Sequence, residues 1–362
     1  MNKKLAYVII LSIGIFLTGC QVKNNVVSND GNVNNNSQVG SNEQAVEVPK
    51  YKINDYIQIK ENVKYSYKGE NHEYAEYVAY VDYVAGDKFQ IRSNNGGTET
   101  VNVFQVKDGE LIQTFKRNTC YYRENFTTKK SDSSEILLKE PLVKGTSWTL
   151  PDGGKRYISG VDVQISTPSG NYSTIEVTTE KKSGEKSLHY YAINKGLVKY
   201  VSDSDNMKIT STLQGIEEGA KLTQTVRIFY PNINVDKIHY QDKEIVFNTN
   251  DITKLILQNI FKNFPGNDEG TLFSSNVTIN SLYLNDDGRV HVDLTSSFVK
   301  DMNLGSGPEL MLLQSIANTL GNYYSVEEVY ITIEGKPYSS GHIIKSNGEG
   351  FKVDFNGIVE GK

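Results

Sequence analysis

The sequence predicts an α+β protein: a mostly antiparallel β N-terminal domain followed by an α+β C-terminal domain. Three observations carry this. From residue 51 to 213 the chain runs in short apolar–polar alternations broken by turn residues, and no stretch sustains a helical period over three turns. Between 225 and 335, amphipathic helical segments appear among strand-like ones. Between the two, residues 214–224 hold two glycines, charges and no aromatic residue, the composition of a linker.

In the β half, Lys88-Phe89-Gln90-Ile91-Arg92 alternates, Asn94-Asn95-Gly96-Gly97 turns, and Val101 to Val106 alternates again. Lys107-Asp108-Gly109-Glu110 and Pro151-Asp152-Gly153-Gly154 are further hairpin signals, because glycine and its neighbours accept the positive φ of tight primed turns. Tyr74, Tyr77, Tyr80 and Tyr83 recur every third residue. Val78, Val81 and Val84 between them, and the β propensity of tyrosine itself, favour a strand over a helix. Alternation then puts Tyr74 and Tyr80 on one face and Tyr77 and Tyr83 on the other. Such a stripe serves either as half-buried core with wet hydroxyls or as a stacking platform for a sugar, so Tyr77 and Tyr83 are candidate interaction residues.

In the C-terminal half, Thr225 to Tyr230 reads as a strand stopped by Pro231-Asn232, and Lys243 to Phe247 as a second. Ile252, Leu255, Ile256, Ile260 and Phe264 recur at helical spacing, with Asp251 as N-cap and Pro265-Gly266 as the stop. Val277 to Leu284 and Val290 to Leu294 flank Asn285-Asp286-Asp287-Gly288 as a hairpin. A calcium loop would need a Glu at its twelfth position and flanking helices, which are missing. Ser306-Gly307-Pro308-Glu309 reads as a capping box, Ser306 the cap and Glu309 returning a bond. The helix it opens carries Leu310, Leu313, Ile316, Ala317 and Leu320 and ends at Gly321. Val326 to Ile333 is a strand closed by Glu334-Gly335-Lys336, and residues 336–362 form an extension whose Phe351 to Phe355 alternates like an edge strand.

Composition excludes several classes. The chain of 362 residues has 38 basic and 43 acidic residues, a net charge of −5, which argues against a nucleic-acid partner. Two cysteines cannot build a disulfide framework or a four-cysteine zinc site. The five histidines are scattered, none spaced at three or four residues from another, so no metal is called for, and no other cofactor motif is present.

The N-terminus carries Lys3 and Lys4, then an apolar run from Leu5 to Leu17, too short to span a membrane as a mature helix. It ends in Leu17-Thr18-Gly19-Cys20, which resembles the lipobox of bacterial lipoproteins. That resemblance implies a signal peptide over 1–19, diacylglycerol in thioether linkage on Cys20, and anchoring at the outer face of the cytoplasmic membrane. Two acyl chains hold stably, since each buried methylene contributes about 0.8 kcal/mol. Residues 21–50 contain eight Asn and no aromatic residue and read as a disordered tether with a mean reach of roughly 30 Å. Cys120 reads as a small buried hydrophobe on a strand.

The segment from Val226 to Gly335 resembles the GerMN domain of sporulation and spore-germination proteins and of lipoproteins of spore-forming bacteria. The likeness rests on Val226-Arg227-Ile228-Phe229-Tyr230, on Val290 to Phe298, on Gly305 to Glu309, on Gln314 to Leu320, and on Val326 to Val329 with Ile331 to Gly335. One copy is present where some members carry two. The β half is similar to the module preceding this domain in clostridial lipoproteins, through Asn71 to Ala75, Gln90 to Thr98, Tyr121-Tyr122-Arg123, Gly145 to Trp148, and Tyr190 to Ala192 with Lys195 to Lys199. The resemblance implies a non-enzymatic envelope protein acting through protein or peptidoglycan contacts, with no catalytic residue to carry over. Asp293 and Asn318 are candidate surface residues beside the matched elements.

Two other functions compete with this reading. A lipid- or glycan-binding carrier would use the Tyr-rich sheet, and the discriminator is whether that half encloses a continuous apolar cavity or a packed core. A hydrolase of envelope polymers is disfavoured. Asp286-Asp287 and Glu327-Glu328 are sequence neighbours, which strand geometry points apart, and no nucleophile or metalloprotease motif is present.

Overall fold

A computed structural model of the chain describes residues 50–204, 207–264 and 272–361. The expected signal peptide, Cys20, the expected tether and the expected Pro265-Gly266 stop lie outside these residues.

Helix α1 (Ile53–Tyr56) precedes β1 (Val63–Glu70), β2 (Tyr77–Ala85), β3 (Lys88–Asn94), β4 (Glu99–Lys107), β5 (Glu110–Asn118) and β6 (Glu135–Lys139). Then come β7 (Ser147–Thr149), β8 (Lys155–Thr167), β9 (Gly170–Glu180), β10 (Lys186–Ala192), β11 (Gly196–Ser204) and β12 (Met207–Glu218). The twelve make one sheet in the order β6-β5-β4-β3-β2-β1-β12-β11-β10-β9-β8-β7. Each run of six is a meander, and the two are spliced where β1 lies antiparallel to β12, with Val63 opposite Glu218. The two-residue turn between β4 and β5 has φ of 51° at Asp108 and 72° at Gly109, the primed turn that its sequence predicts.

The sheet curls until its outermost strands come within side-chain reach. Trp148 Nε1 on β7 donates to the Ile136 carbonyl on β6 at 2.9 Å. Arg156 on β8 donates to the same carbonyl at 2.6 Å and to Glu135 Oε1 at 2.7 Å. Leu138, Trp148, Ile158, Ile175 and Val177 fill the inside, and α1 packs Ile53 and Tyr56 among them. Edges that close on one another offer no long row of unpaired backbone groups.

The C-terminal half comprises β13 (Leu222–Asn232), β14 (Lys237–Phe247), α2 (Thr253–Asn263), β15 (Ile279–Leu284), β16 (Val290–Leu294), α3 (Ser297–Met302), α4 (Ser306–Tyr324), β17 (Glu328–Ile333), β18 (Lys336–Pro337), β19 (Phe351–Lys352) and β20 (Val359–Glu360). One sheet has the order β13-β14-β20; the other runs β15-β16-β17-β18, with β19 also paired to β17. β16 and β17 are parallel, so the chain crosses over between them through α3 and α4. Pro231 lies within β13 rather than stopping it; β13 is an edge strand, where a missing N–H is tolerated.

The sequence-based boundary changes. Residues 214–218 continue β12 and β13 begins at Leu222, so the expected linker over 214–224 reduces to the turn 219–221. The halves also share a core. Val101 and Val103 of β4 and Phe115 of β5 belong to the same cluster as Val226, Leu313 and Ile316. Cys120 is fully buried there, just beyond β5 rather than on a strand. Burial pushes its thiol up to about 11.

Three helix readings need correction. The N-cap of α4 is Gly305, not Ser306, with no side-chain cap bond. Glu309 is buried instead, accepting bonds from Tyr338 Oη at 2.8 Å, from Ser340 Oγ, and from His342 Nδ1 at 2.9 Å. Burial opposes its charge, but those bonds hold its carboxyl below the usual range. α4 also runs past Gly321 to Tyr324. Gly321 is there for close approach: a Cβ on it would stand 2.1 Å from Val353 Cγ2. The N-cap of α2 is Ile252, while Asp251 Oδ2 accepts from the Asn248 N–H at 2.7 Å. α2 buries Thr253, Leu257 and Phe261, leaving Ile252 and Leu255 about half exposed.

Candidate functional site

The inner face of the curled sheet is built by alternation. Tyr65 and Tyr67 on β1, Tyr77, Ala79 and Val81 on β2, and Phe89 and Ile91 on β3 stand at every second residue, the period of a strand. Some of them join the packed core, Phe89 among them, as does Leu111 of β5. Together the set lines a cavity of about 380 Å³, completed by Phe104 and Leu111 and by Tyr191 and Leu197 from the far limb of the sheet. The lining is polar in part, with Ser93, Asn95, Thr98, Thr100 and Asn102 from β3, β4 and the turn between them, and with exposed Gln58, Lys60 and Lys195. Tyr67 and Tyr77 stack with ring centroids 4.4 Å apart, and Tyr67 Oη donates to the Leu197 carbonyl at 2.8 Å, tying the two limbs together. Burial raises the pKa of both phenols, so the wall is uncharged at neutral pH. This half therefore holds both a packed core and, beside it, a pocket open on one side.

The other face of β2 does different work, and the reason is a bulge. Val81 pairs with Ile91 and Tyr83 with Gln90, so Asp82 is an extra residue. Beyond it the facing inverts, and Tyr83 leaves the side that carries Tyr77. Tyr83 is 4% exposed; its hydroxyl donates to the Asp251 carbonyl at 3.1 Å and accepts from Arg123 Nη1 at 2.7 Å. The expectation that Tyr77 and Tyr83 share a face thus fails. Tyr74 lies before β2 in a turn and reaches the cavity with Tyr77, whereas Tyr80 packs on the core shared with the C-terminal half.

Asp293 and Asn318 serve structure. Asp293 Oδ1 accepts from Thr332 Oγ1 and the Gly335 N–H, each at 2.7 Å, which locks the turn after β17 onto β16. Asn318 is fully buried: it donates to the Asp354 carbonyl at 2.6 Å and accepts from the Asp354 N–H at 2.9 Å, pinning the C-terminal segment to α4. It is not a surface residue. The four described candidates therefore go to four separate places, and only Tyr77 borders a cavity.

The acidic turn at Asn285 to Gly288 closes the β15–β16 hairpin, the Asn285 N–H donating to the Arg289 carbonyl at 2.9 Å. Asp287 pairs with Arg289 at 2.8 Å and with His291 at 2.9 Å, and those bonds hold its carboxyl far below the usual range against a desolvation that raises it. Among the described residues no group of three or more His, Cys, Asp or Glu could hold a metal ion, and no helix is long and apolar enough to cross a membrane.

Comparison with known proteins places the C-terminal half. Three solved structures are similar to the chain in part. The tandem GerMN domains of the sporulation protein GerM from Bacillus subtilis share 16% identity over 36% of this chain and 46% of that one, with a TM-score of 0.27. The chain spans less than half of that structure's length. A candidate exported protein with a YmcC-like fold from Bacteroides fragilis shares 12% identity over 45% of this chain and 99% of that one, with a TM-score of 0.28. A candidate lipoprotein from Clostridium perfringens shares 13% identity over 36% and 87% of the two chains, with a TM-score of 0.24. No curated protein matches. Residues 217–339 match the family model Germane, described as sporulation and spore germination. The segment that resembled a GerMN domain in the sequence is thus the segment that the Germane model matches, and over these residues the chain is similar to GerM-like proteins.

Proposed function

We propose that this is a non-enzymatic lipoprotein of the cell envelope, held at the outer face of the cytoplasmic membrane by acylated Cys20, whose Germane domain makes contacts with envelope proteins or peptidoglycan. The Germane match over residues 217–339 carries the reading. The Leu17-Thr18-Gly19-Cys20 sequence behind an apolar run supports the anchor. The Asn-rich stretch after it supports a domain held at a distance from the bilayer.

Two measurements test it. Cys20→Ala moves the protein from the membrane fraction to the soluble one; retention of the processed variant on membranes would sink the anchor. Crosslinking in sporulating cells recovers an envelope protein or a peptidoglycan fragment with the wild-type chain; recovery of neither counts against the contact role.

A further inference from the structure

We propose that the cavity inside the curled sheet binds one long acyl chain, tail inward, with its polar head at exposed Lys195. The site stands apart from the anchor and contact roles proposed above.

Size is the first argument. Folded interiors are packed as densely as organic crystals, and voids larger than a water are few. A space of about 380 Å³ that is open on one side, lined mainly by apolar side chains, falls within the range of small-molecule sites. The architecture maintains it: the sheet is held in its curl by Trp148 and Arg156 at the seam and by Tyr67 across the limbs, so the walls are fixed independently of any contents.

Chemistry selects the occupant. The deeper wall is aliphatic and aromatic, from Val81, Phe89, Ile91, Phe104 and Leu111. A glycan would need donors and acceptors along its length, and a nucleotide a cradle for phosphate. An acyl chain asks only for apolar surface, and leaving that surface to water is the unfavourable state. Ser93, Thr100 and Asn102 add polar groups on β3 and β4, but the charged side chains of the lining, Lys60 and Lys195, are both exposed, which suits an amphiphile with one wet end. Lys60 is already paired with Glu218 at 2.7 Å, so exposed Lys195 is the lysine of the lining that would meet an acidic head.

The same acyl chemistry has two sources: a separate lipid, or the acyl chains of this protein's own Cys20. The experiment separates them. The full chain carrying Cys20→Ala is stripped of bound lipid and titrated with cis-parinaric acid, a fluorescent fatty acid. Saturable binding at one probe per chain is expected. Ala79→Phe, which puts a ring into the cavity, weakens it at least tenfold with an unchanged melting temperature; if that variant does not fold, Ser93→Phe on the neighbouring strand replaces it. Tyr80→Phe, on the opposite face of β2, leaves binding unchanged. The same titration on the acylated wild-type chain then assigns the source: full binding points to a separate lipid, and loss of binding to the protein's own acyl chains. Absence of saturable binding by the Cys20→Ala chain, or undiminished binding by a folded Ala79→Phe variant, overturns the proposal. Because Cys20 is absent from the titrated chain, neither failure bears on anchoring.

Discussion

Arg92 Nε donates to Asp82 Oδ2 at 3.1 Å, and both side chains are 1% exposed. On the carboxylate's other side Arg123 Nε stands 3.5 Å from Oδ1. Arg123 also donates to the carbonyls of Asp82, Asn248 and Asp251, and it lies over the rings of Tyr83 and Phe247. The bulged residue of the curled sheet is therefore the counter-ion that keeps two buried arginines where the halves of the molecule join. Glu99 supplies the second negative charge, 2.7 Å from Arg92 Nη1. A group like this stabilises little in total and becomes costly when one member is removed.

Asp82→Ala should accordingly destabilise the fold by about 3–5 kcal/mol, because two guanidinium groups remain buried with one carboxylate between them. Urea unfolding followed by tyrosine fluorescence and by circular dichroism measures this. Both probes should shift together, since the joint belongs to both halves. A loss under about 1 kcal/mol would mean that the arginines find solvent or other partners.

Gly321→Ala sets two effects against each other. Alanine gains about 1 kcal/mol of helix preference over glycine. The added methyl meets Val353 Cγ2 at 2.1 Å, and overpacking of that kind costs about 1–3 kcal/mol. The variant should be net destabilised by about 1 kcal/mol, the difference of those two terms. Val353→Ala in the same chain should recover most of it. A stabilised single variant would show that the C-terminal segment packs loosely on α4.

Acid should weaken the protein before its carboxylates titrate. Burial, helped by Arg156, lowers the His189 pKa from 6.5 to about 3. As pH falls below about 6.5 the unfolded chain takes up this proton and the folded one does not, so stability is complete above that pH and declines toward pH 3. The ring keeps some solvent contact, so about 1–2 kcal/mol is expected between pH 7 and pH 5. His189→Phe should flatten that slope. An unchanged slope would place the titration elsewhere.

Much of this molecule is written in short-range pattern. Alternation and turn residues locate the strands and hairpins of the curled sheet, and the order of motifs from Val226 to Gly335 carries the GerMN resemblance that the Germane match over residues 217–339 supports. What depends on tertiary partners was hidden. Asp82 inserts one residue into β2, and every facing beyond it inverts; no local signal in Tyr-Val-Asp-Tyr marks that. Glu309 fits a capping box by position, yet Tyr338, Ser340 and His342 arrive from downstream and claim it. Asn318 looks like a polar helix residue free to face outward, but residues 351–355 cover it. The cavity was half legible: the every-second-residue sets at Tyr65, Tyr77 and Phe89 name its wall, but only the closure of the sheet shows that the space between them stays open.

The splice of β1 against β12 has a consequence for how the protein is made. A chain synthesised from its N-terminus delivers the first meander complete, with the outer edge of β1 bare until residues 207–218 emerge. During that interval the cavity has only one limb, and its tyrosines and phenylalanines face water. Contacts so distant in sequence form slowly, and an open strand edge with an apolar face beside it invites wrong pairing. The hazard of this fold is thus a matter of timing, concentrated in the moments between release of the first meander and arrival of the twelfth strand.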